Sequence, residues 1–127
     1  MKTYLKKIRL ELARTKEAPA GNSRHGYEIV APLNSIGHLD ERAWPEVKQL
    51  CSVRRFVPND ADEHGILIRM RGDHWALSYA PGEDDDEPIY RLGDHRFAVG
   101  EYVSITEHDG VTRPFKVVSV SAHRVGA

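Results

Sequence analysis

Apolar and polar residues alternate along much of the chain. Between Tyr4 and Ala13, Ile8, Leu10 and Leu12 are interleaved with Lys7, Arg9 and Glu11, the period-two pattern of a strand with one buried face. From Arg14 to Gly26 the pattern lapses into Pro19, Gly21, Asn22, Ser23 and Gly26, residues that favour turns for separate backbone reasons, so a long loop is expected. Alternation resumes at Tyr27, Ile29, Ala31 and Leu33, a second strand. Ser52 to Val57 reads as a short strand stopped by Pro58 and the polar run Asn59 to Gly65, and further short strands are expected at Ile89 to Leu92 and Arg96 to Val99.

One stretch has helical spacing. Leu39, Ala43, Val47 and Leu50 fall on one stripe behind Asp40, a competent N-cap, although Pro45 also permits a start near Trp44 with the proline as first residue. Two hairpins complete the pattern. In the first, Ile66 to Tyr79, Gly72-Asp73 suits a two-residue type II′ turn that sets Arg71 against His74, Met70 against Trp75, Ile68 against Leu77 and Ile66 against Tyr79. That register gathers six large apolar residues on one face and leaves Leu67, Arg69, Arg71, His74, Ala76 and Ser78 on the other. In the second, Glu101 to Val120, a loop at His108-Asp109-Gly110 with a left-handed glycine sets Val103 opposite Phe115. The expected fold is mainly β, bordering on α+β: a small antiparallel barrel or two-sheet fold of about six or seven strands with one short helix.

Composition narrows the class. At 127 residues, 40% apolar and 29% charged, the chain fits one globular domain, residues 1–127, with an ordered core expected over about 3–121. The single cysteine, Cys51, cannot form an internal disulfide, and Lys2, Lys6 and Lys7 precede no apolar signal block, which points to a reducing cytoplasm. No run approaches the roughly 18 apolar residues of a membrane helix. The net charge of −1 conceals eleven Lys/Arg against seven Asp/Glu in residues 1–60 and seven against twelve in 61–127. In one compact domain the two halves interleave, so mutual neutralisation is favoured over a two-faced surface.

Candidate chemistry is sparse. Seven histidines invite a metal, yet no His-x-x-x-His, His-Glu-x-x-His or cysteine pair is present; if a metal is held, His74 and His95 with Asp73 or Asp94 are the first ligands to test. The acidic run Glu83 to Glu87 departs from the calcium-loop template and reads as a solvated loop. Cys51, at the end of the apolar stripe, reads as a small buried hydrophobe rather than a nucleophile. Ser35, Ser104 and Ser119 lie in no nucleophile elbow. Nucleic-acid binding is disfavoured, since pI is near 6.7 and Trp75 and Tyr79 fall on the expected core face.

The segments Gly26-Tyr27-Glu28-Ile29-Val30-Ala31-Pro32-Leu33, Cys51-Ser52-Val53-Arg54-Arg55-Phe56 and Gly100-Glu101-Tyr102-Val103-Ser104-Ile105 resemble a family of short, uncharacterised proteobacterial proteins over Leu10 to Val120. The resemblance implies a bacterial cytosolic origin and brings no catalytic residue or cofactor. The favoured function is therefore a non-enzymatic binding or adaptor module for a protein partner, with Arg54, Arg55, Arg69, Arg71 and His74 as the surface that grips a carboxylate. A metal-dependent or small-molecule enzyme using the turn His and Asp residues is the alternative, followed by a nucleic-acid-binding barrel and by a homodimer paired through a strand edge. No cofactor is expected.

Overall fold

The computed structural model describes residues 5–70, 74–79, 87–89 and 96–123. The protein is a small, mainly β fold with one short helix, as the alternation implies. Its strands are β1 (Leu5–Leu12), β2 (Asn22–Pro32), β3 (Ser52–Phe56), β4 (Glu63–Met70), β5 (His74–Ser78), β6 (Glu87–Ile89), β7 (Tyr102–Thr106) and β8 (Thr112–Ala122). Each pairs antiparallel with the next, and β8 returns to β1, so the sheet curls into a barrel. Among the described residues β6 joins β7 through the pair Ile89 and Ile105. Among the described residues no helix is long and apolar enough to cross a membrane.

Inward residues of the strands fill the barrel. Ile8 and Leu10, Tyr27, Val53, Leu67, Trp75 and Leu77, Val103 and Ile105, and Phe115 and Val117 are all less than 2% exposed. An interior packed in this way holds no channel. The expected inward set of β1 and β2 is thus the observed one, and the second hairpin has the expected register, Val103 opposite Phe115. Its turn works as its residues dictate. Gly110 takes φ 81°, the left-handed region, and its N–H donates to the Glu107 carbonyl.

The first hairpin does not have the expected register. Met70 pairs with His74, Arg69 with Trp75, Ile68 with Ala76, Leu67 with Leu77 and Ile66 with Ser78, a slip of one residue. The Gly72-Asp73 turn itself lies outside the described residues. Because side chains alternate between faces, the slip turns β4 over: Leu67 is buried and Ile66 is 46% exposed, the reverse of the expectation. β4 carries apolar residues at Ile66, Leu67 and Ile68, so alternation alone did not fix its parity.

Two further expectations change, and the helix takes the later of its two expected starts. The long loop ends at Gly21 rather than Gly26, because β2 begins at Asn22 and Ser23 to His25 form an irregular bulge between the Leu12–Asn22 and Glu11–Gly26 pairs. The helix α1 is Trp44–Val47 with Pro45 in its first turn, followed by a 3₁₀ turn over Lys48–Leu50. Asp40 caps the preceding turn instead, its Oδ1 accepting from the N–H groups of Arg42 and Ala43. The segment 96–99 is not a strand: Arg96 forms an isolated bridge with His38, and Phe97 is buried. Of the expected strand at Ile89 to Leu92, Ile89 closes β6 and residues 90–92 lie outside the described residues.

The helix closes one end of the barrel. The Trp44 ring meets Trp75 edge-on at 5.3 Å, and its Nε1 donates to the Leu67 carbonyl at 3.3 Å. The opposite end, where β2, β4 and β8 begin and β3, β5 and β7 finish, is closed by polar side chains.

Candidate functional site

That polar end is built by continuing the inward rows past the apolar core. Glu107 follows Val103 and Ile105, Arg55 follows Val53, Arg113 precedes Phe115, and His25 precedes Tyr27. The Glu107 side chain is 0% exposed. Its Oε2 accepts from the Tyr27 hydroxyl at 2.8 Å and from Arg55 Nη2 at 3.0 Å and Nε at 3.2 Å, with His25 Nε2 at 2.9 Å. Its Oε1 accepts from Arg113 Nη1 at 3.0 Å. Arg55 also donates to Glu63, which His108 approaches to 3.2 Å, and Arg113 grips Asp109 at 3.0 and 2.7 Å.

Burial by itself would raise the Glu107 pKa. Hydrogen bonds from His25 and Tyr27 and the nearby charges of His25 and Arg55 more than offset it and hold the carboxyl at about 2. Glu107 is thus a fixed anion with both oxygens occupied. Shut away from solvent, such an anion does not take up a proton near neutrality, and it binds the ends of β2, β3, β7 and β8 together. Glu107, His25 and Arg113 match no chemical motif in the sequence. The signal that identifies them is parity: a polar residue in step with an inward apolar row at a strand end.

The proposed carboxylate-gripping set is not gathered on one surface. Arg54 and Arg55 are consecutive in β3 and face opposite ways. Arg54 lies outside, donating to Glu28 at 2.7 Å and Asp62 at 2.7 Å, and with Arg9 it covers the Phe56 ring, the two guanidiniums lying 5.1 and 4.4 Å from the ring centroid. Arg55 belongs to the polar end. Arg69 sits five positions along β4 from His64, the partner of Arg54, about 16 Å away at the usual strand rise. Its guanidinium lies 6.0 Å from the Trp75 ring centroid. Arg71 lies outside the described residues, and His74 is placed by its backbone pairing with Met70.

Of the suggested metal ligands, Asp73, Asp94 and His95 lie outside the described residues, as do Glu83 to Asp86 of the acidic run. Among the described residues no three His, Cys, Asp or Glu side chains converge on a metal-sized site. Cys51 is buried, its thiol directed at the Val47 carbonyl at 3.4 Å, and burial pushes its pKa up to about 11. It is a core residue and no thiolate at neutral pH.

Among the described residues a groove of about 890 Å³ opens on the outer face of β7, β8 and β1, walled by the loop 13–21. Tyr102, Lys116 and Glu11 are lateral neighbours across its floor. Two irregularities flank it. β8 carries an extra residue, Val118, between the Arg9–Ser119 and Leu10–Val117 pairs, and β2, at its bulge, supplies Asn22 and Ser23 to the wall. No protein-family model matches the chain, and neither does any curated protein or solved structure.

Proposed function

We propose that this protein is a non-enzymatic module of the bacterial cytoplasm that binds a protein partner through the outer surface of its barrel. What supports the reading is the saturation of the one buried place where ionisable groups converge among the described residues. Glu107, Arg55 and Arg113 satisfy each other inside the polar end, so their chemistry is spent on the fold. A rigid, filled barrel then offers a ligand its surface, where loops and bulges vary the shape of an otherwise regular sheet.

The test is capture from lysate of the native host, with the folded chain as bait and a moderate salt wash. A stoichiometric protein, identified by mass spectrometry and rebinding as a purified component, is the expected outcome. Retention of nucleic acid alone would move the assignment to a nucleic-acid-binding barrel. An empty bait would overturn the module reading.

A further inference from the structure

We infer that the groove across β7, β8 and β1 is the docking site, and that its occupant is an extended, acidic segment of a protein partner; this rests on the binding-module reading above. The groove is lined by two cations that the fold leaves unpaired among the described residues. Arg9 and Arg54, outward on β1 and β3, are tied up, Arg9 with Glu11 and Glu28, and Arg54 with Glu28 and Asp62. Arg14 and Lys116, both exposed and both lining the groove, have no ion pair among the described residues. Glu11, the carboxylate on the floor, is already held by Arg9 Nε at 2.8 Å. Two uncommitted cations are therefore available to carboxylates, Arg14 through a forked pair of hydrogen bonds and Lys116 as a point charge.

The rest of the lining supports a chain-like ligand of modest charge. Tyr102 is 55% exposed beside Lys116, and an amphipathic ring of this kind contributes apolar contact at low entropic cost. Val118 adds apolar surface, while Asn22 and Ser23 add polar groups. Glu11 and the overall charge of −1 weigh against a polyanion such as single-stranded nucleic acid, which is held by a continuous basic track. A peptide with a carboxylate on alternate residues presents its charges on one side, because extended side chains alternate.

The probe is a fluorescein-labelled peptide of alternating glutamate and serine, with the glutamine–serine peptide and a labelled oligothymidylate as comparisons, each followed by fluorescence anisotropy and amide NMR shifts on the full chain. The acidic peptide should bind, its affinity falling with salt, and shifts should centre on Gly21, Tyr102 and Val118. Replacing Arg14 and Lys116 together by Ala should weaken it roughly tenfold or more, whereas Arg24→Ala, an exposed cation outside the lining, should leave it unchanged. Unchanged thermal unfolding of the variants separates lost contact from lost fold. Equal binding of the glutamine peptide, binding of the oligonucleotide alone, no binding, or shifts centred elsewhere would overturn the inference. If a partner captured from lysate is retained by the Arg14, Lys116 double variant, the groove assignment fails while the module reading stands.

Discussion

The polar end of the barrel and the groove beside it use the same residue types to opposite effect. At the polar end, Arg55 and Arg113 meet a carboxylate that water does not reach, and every charge is countered within the fold. In the groove, Arg14 and Lys116 stand in solvent with no ion pair among the described residues. Burial is what separates them. A buried ion must be paired or its desolvation destabilises the fold, whereas an exposed cation costs the fold almost nothing unpaired and remains available to a ligand.

Glu107→Ala should break this comparison most severely. It strands Arg55, Arg113, His25 and Tyr27 around a buried void, and a loss of roughly 3–5 kcal/mol in urea unfolding is expected. Acid should act through the same carboxyl. Its pKa of about 2 in the fold lies below the ordinary 4.5, so its contribution to stability is complete above about pH 5 and is lost as pH falls through about 2. That contribution is on the order of 3 kcal/mol. Asp109, held at about 2 by its hydrogen bonds from Arg113 and the Val111 N–H, and Glu28, lowered by Arg54 against its own burial, act in the same direction. Urea midpoints measured across that range should therefore fall with pH, and Glu107→Gln should make the slope shallower without abolishing it.

Tyr27→Phe removes one donor to Glu107 and keeps the ring stacked edge-on against Phe115 at 5.1 Å, so a loss of about 1–2 kcal/mol by the same assay is expected. Arg54→Ala, on the outer face, should cost no more than about 1 kcal/mol, because its ion pairs are partly solvated. Arg14→Ala and Lys116→Ala should each shift stability by less than about 0.5 kcal/mol. A larger loss in the groove variants would mean that these cations serve the fold, and the contrast between the two regions would collapse.

The two hairpins show where a linear reading stops. Around Gly110 the turn accepts one geometry and the flanking rows are apolar at one parity, so the register follows from local chemistry. In β4, Ile66, Leu67 and Ile68 satisfy either parity, and the turn residues alone favoured the other one. Contacts distant in sequence decide the register. The observed pairing turns Glu63 toward Arg55 and His108, lays Leu67 against Leu77, and puts Gly65 where a Cβ would lie 2.1 Å from the Ser78 carbonyl oxygen. A larger residue at that position would force the strands apart.

The sequence by itself determined the mainly β class, the inward rows of β1, β2 and the second hairpin, the single short helix and the burial of Cys51, because each depends on periodicity or turn chemistry within a few residues. It did not reveal the Glu107 cluster, in which His25 and Arg55 come from strands far in sequence from the Glu107 and Arg113 hairpin and all four look like ordinary solvated charges. Nor did it show that Arg14 and Lys116 share a groove. Those depend on how strands separated by tens of residues close into one barrel, and closure alone decides which charges are buried against one another and which are left facing water.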